Sequence, residues 1–252
     1  DGSTNIGWDG ANAFTTGDIA IDVDNFSFTS SANFKTAGGL SFQPYGNSFV
    51  SGGISFPTSN GTLANTISSL TIGKSTNTEN ISIDSNITIN GSINIYGGNI
   101  SVNNNLDTSS ASNTGDILLK SSSDIVLSPG KSITTNGSNV ILWANSDGEQ
   151  TNGSVLLRNG SSVSTNSGNV WIGGGSGTST WKGLTVGDGY AVAGTWFTPS
   201  HGGGDANAGV YLENTTVQTS GGNLLLKGDG SSNIWGIVTY GSNTLDSGSG
   251  TI

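Results

Sequence analysis

A short unit recurs through most of this chain: Asn, Asp or Ser, then an apolar-x-apolar triplet, then a small polar turn. It reads Asn86-Ile87-Thr88-Ile89, Asn99-Ile100-Ser101-Val102, Asp116-Ile117-Leu118-Leu119, Asp124-Ile125-Val126-Leu127 and Asn223-Leu224-Leu225-Leu226. A strand-turn unit this short cannot bury its apolar side chains alone. It must stack on copies of itself, so the sequence specifies a solenoid before it specifies any chemistry.

Composition separates this reading from disorder. Gly, Ser, Asn and Thr dominate, and only 10% of the 252 residues are charged. A disordered polar tract lacks regularly spaced Ile, Val and Leu, which here recur every six to eight residues. No stretch carries the three-and-four spacing of an amphipathic helix. The chain has no Cys, which removes disulfides and thiolate chemistry. It has no Met either, even at position 1, which we read as a mature or excised piece. The apolar runs are too short for a membrane helix, so the chain is expected not to span a membrane. A net charge of −10 with a single Arg (Arg158) repels phosphate backbones, so nucleic acid is not an expected partner.

The triplets can be phased. Their first apolar residues are Ile117, Ile125, Ile133, Val140, Val155, Val163, Val170, Val210, Val217, Leu224, Ile237, Leu245 and Ile252. Most steps are seven or eight residues. With the units named A, B and C in rotation from Ile117, every long step falls between A and B: 140 to 155, 170 to 210 and 224 to 237. The expected fold is an all-β, right-handed parallel β-helix of three-sided coils, about 22–23 residues each, with insertions at one corner. One domain is expected over 1–252. It has Phe-rich divergent coils over 1–73, regular coils over 74–172, and coils with a long Trp-rich excursion over 173–252. No C-terminal cap is visible at Ile252, so the stack is expected to continue into further coils of a longer chain.

Alternation along a strand predicts which residues face outward. Face C presents Thr134, Ser164, Gln218 and Asp246, all polar. Face A presents Leu118, Ile141, Trp171 and Leu225, and face B presents Val126, Leu156, Tyr211 and Val238. These apolar outer rows flank the corner with the insertions, which we expect to fold back over them; a lateral interface is the alternative. From Ile81 to Val102 the outward residues Ser82, Thr88, Asn94 and Ser101 are polar, predicting a bare, slim section.

Several patterns invite chemistry. The Asn, Asp or Ser before each strand resembles a calcium ladder, but the position exchanges carboxylate, amide and hydroxyl freely. Local turn hydrogen bonding is the expected role. Asp22 and Asp24 share a strand face and read as exposed surface carboxylates. Arg158 and His201 each read as isolated, leaving no basic cluster or aspartate pair for a polysaccharide lyase or hydrolase. Thr76 and Thr78 hint at an ice-binding threonine ladder, which the mixed face C does not continue. The Asn-x-Ser/Thr sequons arise by chance in such a composition. Neither a metal nor a cofactor is expected.

Aromatic placement is the strongest functional signal. Trp143, Trp181, Trp196 and Trp235 fall in the A-to-B corner segments, as do Tyr190, Phe197 and His201. Aromatic rings among Asn, Asp, Gly and Thr suit sugar stacking and hydrogen bonding. Packing onto the outer rows of faces A and B is the competing role. Trp181, Tyr190, Trp196 and His201 are the candidate ligand-binding residues.

Units such as Gly91-Ser92-Ile93-Asn94-Ile95, Ser167-Gly168-Asn169-Val170-Trp171-Ile172 and Thr219-Ser220-Gly221-Gly222-Asn223-Leu224-Leu225-Leu226 resemble the β-solenoid repeats of filamentous-haemagglutinin-like surface adhesins. The texture is also similar to the giant repetitive adhesins of gliding Bacteroidota. The Asn-Pro-Asn-Gly-type signature of two-partner secretion is absent, which leaves the secretion route open. The resemblance implies a non-catalytic adhesive or stalk segment, secreted to the bacterial surface, contacting glycans or a host or substratum surface. A β-helix enzyme acting on polysaccharide is the alternative.

Overall fold

The computed structural model describes residues 4–6, 17–26, 31–57, 60–110, 115–149, 152–194, 207–230 and 235–252. Among these residues every regular element is a strand. Nearly all strand pairs are parallel, and they form three long sheets that the chain visits in rotation. This is the architecture of a parallel β-solenoid.

The registers reproduce the three-fold phasing. Sheet A aligns Ile117, Val140, Val170 and Leu224. Sheet B aligns Ile125, Val155, Val210 and Ile237. Sheet C aligns Ile133, Val163, Val217 and Leu245. The inward residues follow from the period-two pattern, and Ile93, Ile117, Ile125, Ile133, Val140, Val163 and Val170 are all fully buried in one continuous core. Each such side chain contributes about 1.5–3 kcal/mol on burial. Adjacent coils supply the contacts that no single coil has.

Sheet A runs without interruption from Ile19–Asp22 through Gly39–Gln43, Ser69–Ile72 and Ser92–Gly97 to Val170–Trp181. The third side is divided. The strands Thr4–Ile6, Ala32–Phe34 and Gly61–Leu63 form a small sheet of their own, and sheet C starts afresh at Ile87–Thr88. In the early coils the interior is filled by rings. Phe42 lies 4.8 Å from Phe56 and 5.1 Å from Phe34, both edge-on, the geometry that aromatic quadrupoles favour. Later coils fill the same space with Ile, Leu and Val.

Two side-chain devices close the corners. After each sheet C strand from Ser132–Thr134 onward, a buried hydroxyl bonds the carbonyl three residues on: Thr135 to Ser138 at 2.5 Å, Thr165 to Gly168 at 2.5 Å, Thr219 to Gly222 at 2.5 Å and Ser247 to Gly250 at 3.0 Å. The bond satisfies a carbonyl left unpaired by the turn. Gly222 sits where two coils approach closely: a Cβ there would lie 1.9 Å from the Gly168 carbonyl oxygen.

The second device corrects the expected local role of the pre-strand Asn and Asp. Their side chains bond the next coil, not their own turn. Asp116 accepts from both the amide and side chain of Asn139, Asn139 does so from Asn169, and Asn169 from Asn223, all at 2.8–3.0 Å. These links span 23, 30 and 54 residues of sequence. A shorter ladder precedes sheet B, from Asn80 to Asn99 and on to Asp124, over 19 and 25 residues. The reason is geometric. The backbone turns at this position and leaves an amide without a ladder partner, and the side-chain oxygen one coil away reaches it. Carboxylate and amide oxygens accept equally well, which is why both occur.

Candidate functional site

The A-to-B corner holds the long insertions, as the phasing placed them. The largest begins where the sheet A strand Val170–Trp181 runs out of the sheet and turns back as the antiparallel strand Leu184–Gly189. Gly173, Gly174 and Gly175 mark the exit, where a Cβ on Gly174 would meet the Tyr190 carbonyl at 2.2 Å. Lys182 and Gly183 form the tip, both with positive φ (50° and 82°). That is the geometry of a two-residue hairpin turn matched to strand twist.

This hairpin covers the apolar outer row of sheet A. Ile141, Trp143, Trp171 and Val186 are buried together, with Leu118, Trp181, Leu184 and Leu225 packed around them. Trp143 and Trp171 meet edge-on at 6.3 Å, and the Trp143 indole Nε1 donates to the Gly175 carbonyl at 2.7 Å. The expectation that insertions fold over the apolar rows therefore holds for sheet A. On sheet B, Leu156, Tyr211 and Ala208 are buried together, with Val126 and Val238 half-buried beside them.

The four candidate ligand residues fare differently. Trp181 lies at the hairpin tip, paired with Leu184 and partly buried against the satellite cluster. Tyr190 follows the far end of the return strand, 51% exposed, with the Lys227 ammonium 4.7 Å over its ring. Lys227 also donates to the Asp188 carbonyl at 3.1 Å. Trp196 and His201 lie outside the described residues. Six strand steps separate Trp181 from Tyr190, roughly 20 Å, so the structure does not bring these two rings together. Trp235 is 71% exposed and opens the outermost sheet B strand, Trp235–Tyr240.

Arg158 is not isolated. Its Nε lies 3.5 Å from the Glu213 carboxylate, which is fully buried. The register explains the pair: Leu156 aligns with Tyr211, so residues two positions further along face each other in adjacent coils. Burial and the neighbouring Glu213 push the Tyr211 phenol up to about 12. The signal for Glu213 lies in the phasing, which aligns Val155 with Val210 and so Arg158 with Glu213. Of the two carboxylates at Asp22 and Asp24, both exposed, Asp24 accepts the Gly46 amide at 3.2 Å. On the bare part of sheet B, burial raises the Asp84 carboxyl, but hydrogen bonds from Asn103, Ser55 and Ser82 outweigh it and hold it below its ordinary value. Among the described residues no three His, Asp or Glu side chains converge as a metal site, and no helix is long and apolar enough to cross a membrane.

No family model, curated protein or solved structure matches this sequence.

Proposed function

We propose that this chain is a non-catalytic adhesive or stalk segment of a secreted bacterial cell-surface protein, contacting glycans or a substratum through its insertion corner. One observation carries the reading: the frame is a parallel stack whose longest connections from Val140 onward, Val140 to Val155, Val170 to Val210 and Leu224 to Ile237, all run between sheets A and B. Such a body supplies reach, and one decorated edge supplies contact. Tyr190, with Lys227 over its ring, offers an exposed amphipathic face of the kind that sugars stack on. Trp143 and Trp171 contribute to folding that edge, not to contact. The outward row of sheet C runs Thr88, Asp107, Thr134, Ser164, Gln218 and Asp246. That mixture does not support ice binding.

A glycan array read alongside a reducing-sugar assay tests the proposal. Binding without release of reducing ends is the expected result. Turnover of any bound polysaccharide would replace the reading with a β-helix enzyme. Failure to bind either glycans or cells would leave no adhesive role.

A further inference from the structure

Just ahead of the hairpin, sheet A carries one outward row of unusual composition. Tyr96, Lys120 and Trp143 are aligned in successive coils. Gly73 and Gln43 extend the row backward, since the residues before them, Ile72 and Phe42, align with each other and Ile72 aligns with Ile95. Gly73 has no side chain, so the row has a notch. Two depressions open along it, of about 410 Å³ and 210 Å³, sharing Ser75, Thr76 and Tyr96. Together they make a groove along the rod.

The groove differs in charge from the rest of the molecule. The chain carries a net charge of −10, yet Lys74 and Lys120 both line the groove and Asp147 is the one carboxylate that does. Lys120 is half-buried, its Nζ 3.8 Å from the centre of the Trp143 ring. Among the described residues no carboxylate or hydrogen-bond acceptor meets this ammonium. A half-buried cation whose one partner is an aromatic face is poorly compensated. Burial accordingly pushes its pKa below the ordinary lysine value. An anion arriving in the groove would supply the missing counter-charge.

Shape and donors narrow the kind of anion. Tyr96 presents a half-buried ring, and the hydroxyls of Ser75, Ser122 and Ser146 border the same groove. Coils repeat about every 4.8 Å, close to the length of one linked pyranose, so successive sugars would meet successive coils. We propose that this groove binds an acidic saccharide, a uronate chain with one carboxylate on the Lys120 ammonium and one ring against Tyr96. The serine hydroxyls meet the sugar hydroxyls. The inference rests on the adhesive reading only for glycans as the partner class. It centres the site on Lys120 and Tyr96 of sheet A, not on Tyr190, so either can fail alone.

Calorimetric titration of the full chain with trigalacturonate, and with the neutral galactose trisaccharide, tests it. Trigalacturonate is expected to bind saturably, and the neutral sugar to bind roughly tenfold or more weakly, the worth of one hydrogen bond to a charged group. Lys120→Gln and Tyr96→Ala should each lose a similar factor while the circular dichroism of the folded chain is retained, Lys120→Arg should retain binding, and Thr134→Ala, on sheet C, should bind as the parent does. Absence of saturable trigalacturonate binding overturns the proposal. So does Lys120→Gln binding unchanged, or equal binding of charged and neutral sugars. Loss of binding in Tyr190→Ala, with Lys120→Gln unaffected, moves the site to the insertion corner and leaves the glycan reading standing.

Discussion

The bare coils around Ile81–Val102 and the decorated coils from Ile117 to Val238 share one interior and differ outside. In both, the inward Ile, Leu and Val are almost fully buried up to the last coil, where Ile237 is 44% exposed. Outside, Asn94 in the bare section aligns with Leu118, and the row continues through Ile141, Trp171 and Leu225. Ser82 and Ser101 likewise give way to Val126, Leu156 and Tyr211. The outer row turns apolar where the corner insertions lengthen. Insertions therefore do not disturb the frame; they add a second, smaller core outside it. The links between equivalent Asn and Asp positions span 19 residues in the bare section and 54 across the hairpin, yet hydrogen-bond lengths stay at 2.9 Å.

The largest effect that would break this comparison is at the aligned positions Trp171 and Asn94. Trp171→Ala removes a buried ring from the satellite core and should cost about 3–5 kcal/mol by chemical denaturation. Asn94→Ala, outward on the bare section, should change stability by less than about 0.5 kcal/mol. Similar costs at both sites would mean that the outer row is not a second core.

Next in size is the asparagine ladder. Asn169→Ala removes the acceptor for both the Asn223 amide and side chain and should cost about 1–3 kcal/mol. Asn80→Ala, whose oxygen serves the Asn99 amide alone, should cost about 1 kcal/mol. A larger loss at Asn80 would show that the bare coils depend more on their ladder than the decorated ones.

A smaller effect separates hairpin from frame. Gly183→Val at φ 82° should cost about 1–2 kcal/mol. Hydrogen exchange should speed up at the Trp143 indole while the Ile93 and Ile95 amides stay protected. If those amides also open, hairpin and frame are one cooperative unit.

Alkaline pH tests the outer core of sheet B. The Tyr211 phenol keeps its proton to about 12 when folded, whereas the unfolded phenol titrates near 10. The folded state thus binds more protons across that window, and stability should be full below pH 10 and decline from pH 10 to 12. Tyr211→Phe should flatten that decline, and an unchanged slope would assign it to other groups. Lys120 acts in the opposite sense. Its pKa is lowered by burial, so its contribution rises as pH approaches the unfolded value of 10.5.

The three-sheet frame was legible in the sequence because inward alternation and corner spacing are properties of short segments. Ile117, Ile125 and Ile133 announce three faces within one coil. Even the cover over sheet A could be anticipated, since Leu118, Ile141 and Trp171 are apolar where water would otherwise lie. The site was less legible. Trp143 packs into the satellite core, the competing role for the corner aromatics, while Tyr96 and Lys120 carry no signal in the repeat pattern, because only the register of adjacent coils brings them side by side.

The amino-acid pattern alone determined that the chain stacks, on which residues, and at which corner it tolerates excess length. Tertiary structure decided which side chains meet across coils: Asn139 with Asn169, Arg158 with Glu213, and Lys120 with Trp143. The physical reason is that inward packing is set by a period of two within each strand. Cross-coil pairing depends on separations that every insertion rewrites, and only the closed register of the sheets holds them constant.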